Sequence, residues 1–272
     1  MESQLEVGIL TASHPLHLPG YGERRVLAPA AVKRLAAAEA VPAWEVEATA
    51  LEAEVIPLHY LRNLAEVSLQ GQVRLLRSSV AVIGTGAPLE RALELLALQG
   101  VGRISVVVPA LSEEEEPLAL FQANWLGEKA RNRNASSEVT AAAVRIRGNP
   151  VDAVRGVQVA AAVLPDAASE QLLQFACRMV KVPLVLVGAE GNRGQATTVL
   201  PGDPGVALVY KPSHPHLSTD RSNYLPGPRV ALAAGSWITE QVIGVLLESG
   251  NLLRGRLLYA DLDTGEMAEY PL

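Results

Sequence analysis

VAVIGTGAPLERALELLALQGVGRISVVV, residues 80–108, reads as a strand, a helix and a second strand, and it sets the class of the whole chain. VAVIG (80–84) is a short apolar, β-branched run that ends in glycine. Leu89, Leu93, Leu96 and Ala97 then recur at steps of three and four, which predicts a helix over 89–99. Gly100 and Gly102 end that helix, and ISVVV (104–108) is the next buried strand. Gly84 and Gly86 stand where the first strand turns into the helix. Glycines there let backbone N–H groups approach a phosphate at a helix N-terminus, and the same pair also suits a plain tight turn.

Outward from this unit the alternation continues. Apolar runs at 157–164, 183–188 and 195–200 read as strands, with a helix at 169–181 between the first two. VALVY (206–210) adds a candidate strand, a helix is expected over 229–248, and a closing hairpin over 256–270 turns at Asp263, Thr264 and Gly265. The expected fold is α/β, a Rossmann-like, doubly wound and mostly parallel sheet with an antiparallel C-terminal extension. On the apolar side of the 229–248 helix, Trp237, Ile238, Val242 and Leu246 are candidates for core or interface. Residues 1–54 differ in kind. Positions 13–29, rich in proline and glycine, read as loop, and 30–40 as a helix that Pro42 stops. The division is an N-terminal appendage (1–54, loop plus helix) and a main domain (55–272).

Composition narrows the function classes. The chain of 272 residues is 49% hydrophobic and 4% aromatic, so its core is aliphatic, as suits helices over a parallel sheet. A net charge of −6 argues against nucleic acid as the main partner. The longest apolar run, 229–248, is interrupted by Arg229, Thr239 and Glu240, so no span is expected. Residues 1–20 lack the basic start and apolar run of a secretory signal. Cys177, the one cysteine, excludes an internal disulfide and a cysteine-based metal cluster. Together these predict a cytoplasmic protein.

Longer motifs carry a resemblance. HYLRN (59–63), GQVRLLRSSVAVIGTG (71–86) and LQGVGRISVVV (98–108) follow one another as RYxRQ, GQxxLxxSxVLVVGxGGLG and LAxAGVGxIxLVDxD do in ThiF/MoeB/HesA proteins. FACRMVKVPLVLVGAEGNRGQATTVLPG (175–202), GSWITEQVIGVLLE (235–248) and GRLLYADLDTGEM (255–267) are similar to that superfamily's later strands and helix, in the same order. The resemblance covers about 55–272. It implies an adenylation fold that activates the C-terminus of a ubiquitin-like or sulfur-carrier protein with ATP and magnesium.

The departures fall on the chemistry the resemblance implies. Ala87 and Leu89 replace two glycines of GxGGLG, and Glu90 brings a negative charge toward the triphosphate. The acidic residue that would hold ribose hydroxyls is Val108, followed by Pro109 and Ala110. The phosphate-clamping NxxRQ has no counterpart in 111–124. Lys129 can stand for a phosphate-binding lysine, and the magnesium-binding aspartate falls at Pro165 or, shifted by one, at Asp166. The CxxC zinc ligands are missing from 204–210, and the crossover loop, 211–228, has no catalytic thiol. Cys177 falls at a core position. Arg62 matches the arginine that in dimeric relatives reaches across the interface to the other subunit's phosphates. The same arginine could instead pair with Glu66 at i+4 on a helix that begins near Tyr60.

Other clusters carry less. His14 with His17 and His214 with His216 lack the i, i+4 spacing of helical metal ligands and read as loop histidines. Glu113–Glu116 reads as a solvated loop, and Ser13 and Ser236 join no triad. The expectation is therefore a non-catalytic or pseudo-subunit member of the superfamily that docks a carrier protein or an active paralogue and forms a homodimer when isolated. No cofactor, zinc, nucleic acid or membrane is expected. Gly84, Gly86, Lys129 and Asp166 are then a vestigial nucleotide turn; the alternative is an active adenylyltransferase for a carrier C-terminus that uses ATP and magnesium with altered nucleotide contacts. A dinucleotide oxidoreductase is disfavoured by the missing acidic residue at the second strand's end.

Overall fold

The computed structural model describes residues 4–18, 20, 22–211, 215–221 and 225–272. The N-terminal part comprises α1 (Gln4–Ala12), β1 (His14–Leu18), β2 (Gly22–Leu27), α2 (Pro29–Glu39), α3 (Ala43–Glu52) and β3 (Val55–Pro57). β1 and β2 pair antiparallel, and β3 joins β2 in parallel. The loop expected over 13–29 is thus a pair of strands. Most of their side chains face solvent, so apolar alternation could not show in the sequence. Pro15 is tolerated because β1 is an edge strand. Ile9, Leu27, Val32, Val46 and Val55 close a separate small core.

Short 3₁₀ turns at Leu58–Tyr60 and Asn63–Ala65 lead into α4 (Leu69–Leu76), whose Ser68 cap accepts from Gly71 N at 3.1 Å. The main domain then runs β4 (Ser79–Gly84), α5 (Ala87–Leu98), β5 (Arg103–Pro109), α6 (Glu116–Arg133), β6 (Glu138–Val144), β7 (Val159–Val163), α7 (Ala167–Val180), β8 (Leu184–Glu190), β9 (Arg193–Val199), α8 (Pro228–Leu247), β10 (Arg256–Asp261) and β11 (Glu266–Pro271). The eight-stranded sheet has the order β11-β10-β9-β8-β7-β4-β5-β6. β4 to β8 are parallel, and β9, β10 and β11 extend the sheet antiparallel. This is the expected fold class.

Alternation along the buried strands sorts the two faces. Val80, Val82, Ile104, Val106 and Val108 pack under α5, α6 and α8, while Ala81, Ile83, Val107, Ala160 and Ala162 pack under α7. α8 is the one described helix long and apolar enough to cross a bilayer, but half of it is buried within the fold. Val230, Ala234, Ile238, Val242 and Leu246 turn into the core and Trp237 packs beside them, which makes these candidates core. At Gly235 a Cβ would come within 2.6 Å of Arg91 Cβ, so glycine is what lets α8 lie against α5. The strand expected at 206–210 is instead a 3₁₀ turn. Its buried residues, Val206 and Val209, stand three apart, the 3₁₀ period, and not two.

Candidate functional site

The C-terminal ends of β4, β5 and β7 lie side by side, where an open α/β sheet binds its ligands. Gly84 and Gly86 form the turn from β4 into α5. Gly84 has a φ of +125°, and a Cβ there would lie 2.0 Å from Val163 O, so the strand pair can close only around glycine. Gly86, at φ +91°, is the N-cap of α5.

The first turn of α5 presents few donors. Pro88 has no N–H, and the N–H groups of Leu89 and Glu90 both bond to Gly86 O at 3.1 Å. Leu89 is fully buried in the core beneath the turn. Glu90 Oε1 lies 2.9 Å from Lys129 Nζ, and that ammonium also sits 4.4 Å from the centroid of the Trp125 ring. The Lys129 ammonium is therefore held by a carboxylate of the first turn of α5.

At the end of β5, Val108 and Ala110 are buried in the core and present no hydrogen-bonding side chain. Beyond β7, Asp166 caps α7: its Oδ1 accepts from Ser169 N at 2.8 Å and its Oδ2 from Ser169 Oγ at 2.9 Å. Arg147 stands 3.6 Å away. Gly84, Gly86, Lys129 and Asp166 thus come to one end of the sheet, with both charged members already engaged.

Arg62 is elsewhere. It lies between the two 3₁₀ turns, so the helix expected to begin near Tyr60 is not formed; Pro57 and the amide of Asn63 shape the chain differently. Asn63 Nδ2 donates to Leu98 O at 3.1 Å, which anchors this segment at the C-terminal end of α5, opposite the glycine turn. Arg62 is exposed, its ion pair with Glu66 is not formed, and it has no partner among the described residues.

Residues that sequence reasoning did not single out hold the crossover segment. Arg221 reaches the buried carboxylate of Glu170, bonds Leu164 O at 3.0 Å, and donates to Tyr210 Oη and Ser218 O at 2.8 Å each. Tyr210 Oη donates to Glu170 at 2.5 Å. Burial pushes the Glu170 carboxyl up while Arg221 opposes the shift. Backbone bonds from Arg221 N to Pro165 O (2.7 Å) and from Ala167 N to Thr219 O (2.9 Å) lay 218–221 across the β7–α7 turn. The signal available in the sequence was a lone arginine in a polar loop, which does not point to a buried partner.

The remaining candidates separate cleanly. Cys177 is buried, and burial pushes its thiol up to about 12, so it packs. His14 and His17 lie on β1, not in a loop, and three residues apart on a strand face opposite sides. His214 lies outside the described residues, and no cluster of three or more metal-binding side chains occurs among those described. Glu113 and Glu116 are solvated and pair with Arg145 at 3.0 Å each.

Comparison with known proteins gives the context. The SAMP-activating enzyme E1 of Haloferax volcanii is 28% identical over 214 residues, spanning 72% of this chain and 77% of that protein. The adenylyltransferase and sulfurtransferase MOCS3 of Aedes aegypti is 25% identical over 73% of this chain, which spans about half (48%) of that longer protein. No family model matches. Among solved structures, Escherichia coli MccB with AMPCPP and MccA superposes with a TM-score of 0.64 at 16% identity, over 78% of this chain and 70% of that one. PaaA superposes at 0.61 with 14% identity, over 79% and 72%. With the sheet order, the glycine turn and these relatives in agreement, the chain belongs to the ThiF/MoeB superfamily of E1-like proteins.

Proposed function

We propose that this chain is a pseudo-subunit of the superfamily, which docks a ubiquitin-like sulfur-carrier protein or an active paralogue in the cytoplasm and does not adenylate the carrier itself. The observation that carries this reading is the Glu90–Lys129 ion pair at the mouth of the glycine turn. A bound triphosphate would have to displace that carboxylate or sit beside it, and like charges at such range repel by several kcal/mol in a partly buried site. The residues do not fit a triphosphate with magnesium. Asp166 is committed to the cap of α7, Pro88 removes a backbone donor, and Val108 cannot accept from ribose hydroxyls.

Isolated chains would pair as homodimers through the apolar outer face of α6, where Leu118, Phe121 and Trp125 are exposed. Two observations favour a second reading, an active adenylyltransferase for a carrier C-terminus: the turn keeps Gly84 and Gly86 at positive φ, and the relatives named above are a SAMP-activating enzyme and an adenylyltransferase and sulfurtransferase. ATP–pyrophosphate exchange by the purified chain with magnesium and a carrier protein separates the two. Background exchange is expected, and exchange above it would establish the second reading.

A further inference from the structure

At the end of the sheet opposite the glycine turn, between the N-terminal unit and the main domain, lies a cavity of about 620 Å³. That is the size of a small-molecule site. Its walls are apolar where Pro29, Ala30 and Val32 of α2, Ala43 of α3, Leu98 of α5 and Ala135 meet. Lys33, Arg133 and the imidazole of His59 stand on its lining and no carboxylate does, in a chain whose net charge is −6.

Two of these side chains are engaged. His59 Nε2 lies 3.0 Å from Oε1 of the buried Glu47, and Arg133 Nη2 lies 3.2 Å from Glu94. Glu47 does not line the cavity, and its carboxylate also accepts from Tyr60 Oη (3.0 Å) and Ser136 Oγ (2.8 Å). Lys33 is exposed to the cavity and has no partner among the described residues. Beside it, α2 begins without a side-chain cap and with no acidic residue in its first turn. Pro29 has no N–H, the Ala31 and Val32 N–H groups return to Ala28 O, and the Ala30 N–H has no partner among the described residues. The negative pole of α5 does not cancel this field. Its last carbonyls, at 97, 98 and 99, accept from the side-chain amides of Asn134, Asn63 and Gln72.

We infer that this cavity binds a carboxylate with a short aliphatic body, the carboxylate resting on Lys33 and the Ala30 N–H and the body on Val32, Ala43 and Leu98. Such a carboxylate can be a free small acid or the C-terminus of a peptide with an apolar last residue. The inference is independent of whether the glycine turn binds nucleotide.

The test is a titration of the whole, isotope-labelled protein, read by backbone NMR. Hexanoate, hexylammonium and an acetylated tripeptide ending in leucine, as free acid and as amide, are added in turn. A ligand of so few atoms is expected to bind in the millimolar range. Saturable shifts at Ala30, Ala43, His59 and Ser136 with hexanoate or the peptide acid, absent with hexylammonium and the amide, support the site; the tighter of the two acids identifies the source. Lys33→Glu, on an exposed position of α2, is expected to weaken binding about tenfold or more while the rest of the spectrum stays in place. Equal shifts with hexanoate and hexylammonium, no saturable shift with either acid, or unchanged affinity in a folded Lys33→Glu protein would overturn the assignment.

Discussion

At the residue scale, two side chains carry opposite halves of the functional reading. Glu90 holds Lys129 at 2.9 Å, and the two are each about a third exposed, so the pair stabilises the fold by no more than about 1 kcal/mol. Its effect is on the site. Glu90→Ala is expected to leave the melting temperature nearly unchanged while freeing the ammonium, so that tripolyphosphate binds measurably tighter by calorimetry than to the native chain. Equal binding by both would remove the ion pair from the argument. Arg62 is exposed, has no partner among the described residues, and lies by the C-terminal end of α5, away from the glycine turn of its own chain, so the proposed phosphate contact would have to be with another subunit. Arg62→Ala is expected to change stability by less than about 0.5 kcal/mol and to slow carrier adenylation by a reconstituted active paralogue. Lysine there restores only part of the rate, since it keeps the charge and loses the fork. Equal rates for native and Arg62→Ala pairs would reduce Arg62 to an ordinary surface residue.

At the element scale, α6 and α7 each turn an apolar stripe outward. The chain has only two phenylalanines, and both are exposed: Phe121 on α6, with Leu118 and Trp125, and Phe175 on α7, with Leu172 and Met179. Steps of three and four residues put each set on one helix face, while Ala119, Ala123, Leu126 and Ala130 form the buried face of α6. A helix that is apolar on both faces is suited to a second partner. If α6 is the homodimer face, Phe121→Asp yields a folded monomer by light scattering where the native chain gives a dimer. A native monomer at every concentration, or a dimer that survives the substitution, would move pairing elsewhere.

Across the whole molecule, the crossover segment matters most, because it crosses from the antiparallel extension back over the β7–α7 turn. Arg221 and Glu170 are both buried, so neither charge can be left alone cheaply. Arg221→Met is expected to destabilise the protein by about 3–5 kcal/mol, since it strands the carboxylate of Glu170 and removes the bond to Leu164 O. Limited proteolysis should then cut first within 211–228. Unchanged protection there would show that the backbone bonds at Pro165 and Thr219 are enough to hold the segment.

The sequence by itself determined the parallel sheet, the glycine turn and the closing hairpin, because each is a local pattern: a β-branched run, a glycine pair, a turn between short strands. It also determined where the chain departs from the motifs it resembles, since Ala87, Leu89, Glu90 and Val108 can be read one position at a time. Tertiary structure decided what surrounds those positions. Only packing brings Lys129, thirty-nine positions from Glu90, within an ion pair's reach, and commits Asp166 to a helix cap. The solvated strands β1 and β2 are not legible in the sequence because their exposed faces carry no apolar period. The Arg221–Glu170 bond and the cavity beside Lys33 were equally hidden, since each depends on segments far apart in the chain that meet only when the sheet and the N-terminal unit have closed.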